Sequence, residues 1–129
     1  MLADARITAV VPTTDLARAK EFYGGTLGLE DTGVSTPGQE VMFRCGGGTM
    51  LEIYERPAVE PAEHTLATWE VPDVRATVDG LRGAGVRFED YDMPGMRTED
   101  GILDEGGFQA AWFRDPDGNI LCVHSQTAA

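Results

Sequence analysis

The feature that most constrains this fold is a weak internal repeat, in which one order of strand and helix signals occurs twice. A β-branched run over residues 6–13 leads to a helix-capping Asp15, and a second run over 66–71 leads to Asp73. An apolar helical face follows each aspartate, and glycines mark the expected end of each helix. Because the two patterns keep nearly the same offsets, the chain is predicted to contain two copies of one structural unit.

Three further strand candidates follow each predicted helix, separated by glycine or proline turns. They cover residues 29–35, 40–45 and 49–55 in the first copy and residues 86–91, 107–114 and 119–125 in the second. Each copy is therefore predicted to have the element order βαβββ. We predict an α+β fold in which two βαβββ modules form a cup-shaped mixed sheet with the helices outside.

The predicted organisation is a single domain over residues 1–129. Its modules are residues 6–55 and 66–125, joined by a linker over 56–65 that contains two prolines and two glutamates. Residues 93–106 are predicted to form a long acidic loop, which either closes over a ligand or is a solvated excursion.

The acidic composition restricts the partners of this chain. Its 129 residues include 22 acidic and 10 basic side chains, for a formal net charge of -12. Such a chain is a poor partner for nucleic acid or for an anionic membrane, whereas a cationic or neutral ligand suits it.

The first apolar run, over residues 7–11, is too short for a signal peptide or a membrane span, so we expect a cytoplasmic protein. Cys45 and Cys122 are expected to be buried free thiols.

Alternation along the predicted strands divides their side chains between two faces. One set is expected to face the helices: Leu51, Ile53, Ala67, Trp69, Val71, Phe113, Leu121 and Val123. The other set is expected to line a cavity and bind ligand: Met50, Glu52, Tyr54, Leu66, Thr68, Ala110, Trp112, Ile120, Cys122 and His124.

The second set has the composition of a cleft for a bulky, partly aromatic small molecule. Trp112 and Tyr54 would be its aromatic anchors, and Glu52 its acid, within a mostly apolar surface. Two plainer interpretations remain open. Trp112 and Tyr54 could be ordinary core residues, and Glu52 could be paired with Arg44 or Arg114.

Four motifs in the chain are characteristic of a known family. They are VPTTDL at 11–16, EFY at 21–23, LGL at 27–29 and WFRDPDGNI at 112–120. Together they resemble the vicinal oxygen chelate superfamily, which includes glyoxalase I, extradiol dioxygenases, fosfomycin-resistance transferases, methylmalonyl-CoA epimerase and bleomycin-binding resistance proteins. The resemblance covers nearly the whole chain and implies the glyoxalase/bleomycin resistance fold, which is built from paired βαβββ modules.

Enzymes of that superfamily hold a divalent metal with a His or Gln, a Glu, a His and a second Glu from four strands. The corresponding positions in this chain are Thr8 (or Ala9 if the alignment shifts by one), Glu52, Leu66 and Cys122. Only Glu52 is of the family type, so we expect no metal, no other cofactor and no catalytic residue. A rescued site, in which Cys122 is joined by His124 or His64, is the alternative.

This pattern is similar to the metal-free, drug-binding branch of the superfamily. The resemblance implies a homodimer that sequesters a bulky natural product or antibiotic in a cleft at the subunit interface, without catalysis. The alternative is an enzyme: a glyoxalase-like lyase or isomerase, or a dioxygenase type, with an atypical metal site. A metal-free enzyme with Glu52 as general base belongs to the same alternative.

Overall fold

The computed structural model describes residues 1–34 and 39–126, and it divides into two compact units, Met1–Glu60 and Pro61–Ala129. The boundary between the units lies inside the segment predicted as a linker. Each unit contains one helix-covered, four-stranded mixed sheet, which confirms the predicted α+β class. Within the described ranges, no helix is long and apolar enough to cross a membrane.

The first unit follows the predicted βαβββ order. Its elements are β1 (Thr8–Thr13), α1 (Leu16–Lys20), a π-helical turn that continues α1 (Glu21–Thr26), β2 (Glu30–Asp31), β3 (Glu40–Arg44) and β4 (Met50–Glu55). The strands are ordered β1-β4-β3-β2, with β1 parallel to β4 and the other pairs antiparallel. The predicted second strand extends to Ser35, which, like the predicted turn at 36–38, lies outside the described residues.

Helix α1 begins where the sequence predicts, because Asp15 caps it. The Asp15 carboxylate accepts a hydrogen bond from the backbone N–H of Arg18 at 3.0 Å, which satisfies a donor that the first helical turn leaves free. The helical segment then packs on one sheet face, where Tyr23 contacts Phe43 with ring centroids 6.2 Å apart. Ile53 and Leu51 of β4 are buried on this face.

The second unit repeats the same order with additions. Its elements are β5 (Thr65–Glu70), α2 (Val74–Gly83), β6 (Asp92–Met93), β7 (Met96–Arg97), β8 (Ile102–Glu105), β9 (Phe108–Arg114) and β10 (Ile120–Gln126). The main sheet is ordered β5-β10-β9-β8, and β6 and β7 pair as a separate hairpin. Asp73 caps α2 through a hydrogen bond from the N–H of Ala76 at 3.0 Å, which matches the role of Asp15.

The predicted strand over 86–91 and the predicted loop over 93–106 are both wrong. Residues 86–91 contain only an isolated bridge, between Phe88 and Phe113, and the edge strand of the sheet is instead β8, inside the expected loop. Gly106 and Gly107, with φ of 58° and 88°, form the turn that joins β8 to β9. Two glycines with positive φ are typical of a tight β-hairpin, so this pair was a hairpin signal that the loop interpretation overlooked.

The turn between β9 and β10 is built by Asp115. One of its carboxylate oxygens accepts from the N–H groups of Asp117 and Asn119, both at 2.9 Å, and the other accepts from the Asn119 side-chain amide at 2.9 Å. Asp115 and Asn119 are both buried. Gly118, with φ of 88°, completes the reversal, so the DPDGN motif has a structural role in setting the register of β9 against β10.

Candidate ligand-binding site

The second unit has a sheet face that α2 does not cover, and the predicted site residues of this unit lie largely on it. Trp112 pairs with Cys122, and Ala110 pairs with His124, across β9 and β10. Paired residues in a ladder point to the same side of the sheet. This pairing agrees with the strand parity predicted for β9 and β10. Phe113 pairs with Leu121 on the other side of the sheet, where it contacts Phe88, whose ring lies against Arg82 of α2.

A compact apolar group, which we call the Trp112 cluster, fills the centre of this face. It comprises Leu103, Ala110, Trp112, Ile120 and Cys122, with Tyr91, Met96 and Phe108 packed against it. Trp112 is only 9% exposed. The Tyr91 ring meets it edge to face, with centroids 5.7 Å apart and planes at 83°. Aromatic pairs in this arrangement add about 0.5–1.5 kcal/mol beyond the area that they bury.

The orientation of the Trp112 indole is fixed by Thr65. The indole Nε1–H donates a hydrogen bond to the Thr65 hydroxyl at 3.1 Å. Thr65 reaches this position because the pairing of β5 with β10 slips by one residue: Ile120 pairs with Thr65 and Leu121 pairs with Ala67, which leaves Leu66 as the extra residue of a β-bulge. Leu66 was predicted to line the site, but the bulge places Thr65 opposite Ile120 instead.

The polar end of the same face is formed by His124 and Thr68. The Thr68 hydroxyl and His124 Nδ1 are 2.6 Å apart, and the imidazole stacks on the Phe108 ring with centroids separated by 6.2 Å. These contacts hold the imidazole in one plane. The half-buried His124 therefore supplies a positioned, hydrogen-bonding ring beside the apolar cluster.

The two cysteines differ in accessibility. Cys122 is 5% exposed, and burial, the dominant effect, raises the pKa of its thiol above the usual value, with a hydrogen bond from Thr68 acting in the opposite direction. Because the thiolate is the reactive form, Cys122 is protected chemically as well as sterically. Cys45 is half-buried, and both thiols are free.

In the first unit, the face not covered by α1 carries Glu52 among apolar side chains. Glu52 lies between Val10 of β1 and Met42 of β3 in the sheet ladder, with Met50 and Tyr54 on either side of it along β4. Val10 is 51% exposed. This face is therefore partly exposed to solvent and carries both polar and apolar side chains, whereas the Trp112 cluster is buried.

The partner of Glu52 is a second carboxyl group. Burial raises the pKa of Glu52, and a hydrogen bond and electrostatic repulsion from Glu40 raise it further. Of the two arginines suggested as partners of Glu52, Arg44 lies 3.8 Å from Glu30, and Arg114 lies 2.8 Å from Glu89. Two neighbouring carboxylates that repel each other favour a ligand that brings a positive charge.

Several residues on these faces were not predicted. Phe108 shares the parity of Ala110 and Trp112 and could have been found by extending that alternation to the start of the strand. Glu40 and Met42 alternate with the buried Val41 and Phe43, and the same rule would have found them. Tyr91 and Met96 had no local signal, since only the fold-back of their segment brings them onto the Trp112 cluster.

Two acidic residues of the segment 99–105, Asp100 and Asp104, are held by other side chains of their own unit. Asp100 accepts a hydrogen bond from Arg75 of α2 at 2.7 Å and lies 3.3 Å from Arg82. The Arg75 hydrogen bond, followed by the charge of Arg82, lowers the pKa of Asp100. Asp104 accepts from the side-chain amide of Gln109 at 3.0 Å. These contacts show that at least part of this acidic segment anchors the β6–β8 region to the rest of its unit.

The residues present do not fit the divalent metal that the family resemblance implies. Of the four family positions, Leu66 has no donor atom, Thr8 has only a neutral hydroxyl, and Cys122 is a buried thiol whose pKa is raised. Such a set does not supply the converging anionic and imidazole ligands that these ions require. Among residues 1–34 and 39–126, no group of three or more His, Cys, Asp or Glu side chains is placed to hold a metal ion.

Residues 6–123 match the family model of the Glyoxalase/Bleomycin resistance protein/Dioxygenase superfamily. No curated protein sequence matches the chain. Among solved structures, TnmS3, an antibiotic binding protein from Streptomyces sp. CB03234, is 23% identical with a TM-score of 0.76, over 98% of this chain and 99% of that one. A glyoxalase/bleomycin resistance protein from the same organism is 24% identical with a TM-score of 0.69, over 92% and 98% of the two chains.

Lactoylglutathione lyase from Agrobacterium tumefaciens is 20% identical with a TM-score of 0.70, over 95% of this chain and 93% of that one. These likenesses confirm the predicted fold. The fold is shared by a protein described as antibiotic binding and by one described as a lyase, so the fold alone does not distinguish between these two functions.

Proposed function

Since the chain belongs to the Glyoxalase/Bleomycin resistance protein/Dioxygenase superfamily, we propose that it binds a bulky, partly aromatic small molecule without a metal. The observation that carries this proposal is the Trp112 cluster. It gathers Trp112, Tyr91 and Phe108 on a sheet face that the helix of its unit does not cover. A mostly apolar surface with a few fixed polar groups is the usual composition of a small-molecule site.

The polar groups of that surface define what the ligand would contact. Thr68 and His124 supply a fixed hydroxyl and imidazole at one end of the cluster. The predicted residues Ala110, Ile120 and Cys122 would supply apolar contact, as would Leu66 beside its bulge. On the first unit, Met50, Glu52 and Tyr54 are proposed as a contact surface in their own right.

Charge favours a cationic ligand. The formal net charge of -12 attracts cations over a long range, and the Glu40–Glu52 pair adds a local preference for positive charge. The antibiotic binding described for TnmS3 is one use of this fold that agrees with these features. We therefore propose natural products or antibiotics with planar aromatic parts as the ligand class, bound by a homodimer.

The decisive test uses the two tryptophans. Tryptophan fluorescence is titrated with a panel of bulky aromatic antibiotics in Trp69→Phe, where only Trp112 remains, and in Trp112→Phe, where only Trp69 remains. Trp69 stacks on Phe113 on the helix-covered side and is the matched control. Quenching retained in Trp69→Phe and lost in Trp112→Phe supports the proposal, and the reverse result overturns it.

Metal analysis separates binding from the enzyme alternative. Protein purified without chelator is expected to contain much less than one Zn, Ni, Fe or Mn per chain. One tightly bound ion per chain that is lost in Glu52→Gln would instead favour a glyoxalase-like enzyme. Sedimentation analysis of the same preparation tests the proposed dimer.

A further inference from the structure

The hairpin that packs on the Trp112 cluster has the construction of a movable cover. We define the flap as residues 92–97, formed by β6 and β7. Five of its six residues are exposed, and only Met96 is half-buried. A hairpin with two residues in each strand is marginally stable by itself, so the flap keeps its position mainly through the docking of Met96 and the adjoining Tyr91.

The base of the flap, in contrast, is firmly held. The N–H of Thr98 donates to the Tyr91 carbonyl, and the Thr98 hydroxyl accepts from the Tyr91 N–H, both at 2.8 Å. Asp90 accepts from the Thr98 hydroxyl at 3.1 Å and from the Gly101 N–H at 2.9 Å. Thr98 itself is buried, so the base is fixed while the tip has few contacts.

Open space lies next to the flap. A cleft of about 300 Å³ is lined by Arg97 of the flap and by Glu99, Ile102, Asp104 and Glu105. The flap is therefore not packed tightly against β8. Segments with few buried apolar contacts open at a smaller free-energy cost than the whole domain.

From these features we propose that the flap is a gate over Trp112 and that the Tyr91 ring occupies the place of a planar aromatic ligand. In the closed form, the Tyr91 ring occupies a side of the indole that a ligand ring would otherwise contact. When the tip lifts, the Tyr91 side chain rotates away about its fixed backbone, and Trp112 and Cys122 become accessible together, since both belong to the cluster beneath it. The ligand-class part of this inference rests on the proposed function, whereas the gate does not.

The gate is tested without any ligand, by the reaction of Cys122 with a thiol reagent such as DTNB. All variants carry Cys45→Ser, so that Cys122 is the one thiol in the chain. Gly95 is in the flap turn with φ of 79°, and an added Cβ there would meet nothing within 4 Å. Gly95→Ala therefore strains the turn without disturbing the cluster.

Gly85 is the matched control, because it has φ of 96°, an added Cβ would also meet nothing within 4 Å, and it follows α2 rather than lying in the flap. Gly95→Ala is expected to accelerate Cys122 labelling about five- to thirty-fold, whereas Gly85→Ala should change it less than about two-fold. Equal acceleration by the two variants would mean that Cys122 is exposed only by general unfolding, and it would overturn the gate.

Tyr91 is tested by a second pair of variants. Tyr91→Ala removes the ring and is expected to accelerate labelling, while Tyr91→Phe keeps the edge-to-face contact and should label at nearly the parental rate. An unchanged rate in Tyr91→Ala would show that the ring does not cover the cluster.

The ligand class is tested with ethidium, a planar aromatic cation. If ethidium competes with the closed flap, Gly95→Ala should bind it more tightly, by up to the factor seen in labelling, and Gly85→Ala should not. Equal affinity in the two variants overturns the replacement of Tyr91 by a ligand ring. Accelerated labelling with no ethidium binding in any variant supports the gate and counts against the proposed function.

Discussion

At the scale of single residues, the neighbours of Glu52 determine how tightly it holds a proton. Glu52 stands at the position where the family resemblance places a metal ligand, and Glu40 lies beside it. Burial and the second carboxyl group together raise its pKa, so the folded protein binds this proton more tightly than the unfolded chain does. The stabilisation that results is fully present at pH values below 4.5, the ordinary pKa, and is lost as pH rises through the folded pKa.

We therefore expect Glu52→Gln to be more stable than the parent at pH 7, by up to about 1 kcal/mol, because the amide removes the repulsion from Glu40. The difference should shrink at about pH 4, because the raised pKa of Glu52 favours its neutral form there. Urea denaturation at the two pH values measures it. Glu105→Gln, on the exposed edge strand β8, is the control. A variant that is less stable than the parent at pH 7 would contradict the repulsive interaction.

At the scale of elements, the two units share the same helix start but differ in the strands that come after the helix. Asp15 and Asp73 cap their helices by the same hydrogen bond, at the same distance of 3.0 Å. Beyond its helix, the second unit adds the β6–β7 hairpin to the repeated pattern. The repeat therefore builds the scaffold, and the insertion covers one of its two sheet faces.

The capping role gives a direct prediction for α2. Asp73→Ala should lower the free energy of unfolding by about 1 kcal/mol, because the Ala76 N–H loses its acceptor. Asp79→Ala is the matched control, since Asp79 is an exposed aspartate later in the same helix, where its charge opposes the helix dipole. Chemical denaturation of both variants checks the prediction. An equal loss of stability in the two would show that the effect is general to the helix and not to its cap.

At the scale of the whole molecule, the excess of negative charge is the property most relevant to ligand capture. The described acidic side chains include no group placed to hold a metal ion, and the summed charge of the chain creates a negative field around the protein. Such a field raises the rate at which cations reach the surface, and dissolved salt screens it within about 10 Å at 0.1 M.

The association rate of ethidium should therefore fall about ten-fold or more between 20 and 500 mM NaCl. The anionic dye ANS, a matched aromatic probe of opposite charge, should show no fall or a small rise. Stopped-flow fluorescence measures both rates. A similar response of the two dyes to salt would argue against steering by the net charge.

The sequence by itself determined the features that depend on local chemistry and on fixed periods. The two helix caps, the DPDGN turn and the alternation of Trp112 with its neighbours in β9 all result from hydrogen bonds within a few residues or from the two-residue period of a strand. The repeat then made the two βαβββ units predictable.

Only the tertiary structure decided which residues from distant parts of the chain meet. The bulge at Leu66 brings Thr65 to Trp112, the fold-back of residues 91–98 brings Tyr91 to the same ring, and the register of β3 against β4 brings Glu40 to Glu52. None of these contacts has a periodic signal, because each depends on where two separate segments come to lie. The scaffold could therefore be predicted from the sequence, whereas the burial of Trp112 depends on how distant segments pack on it.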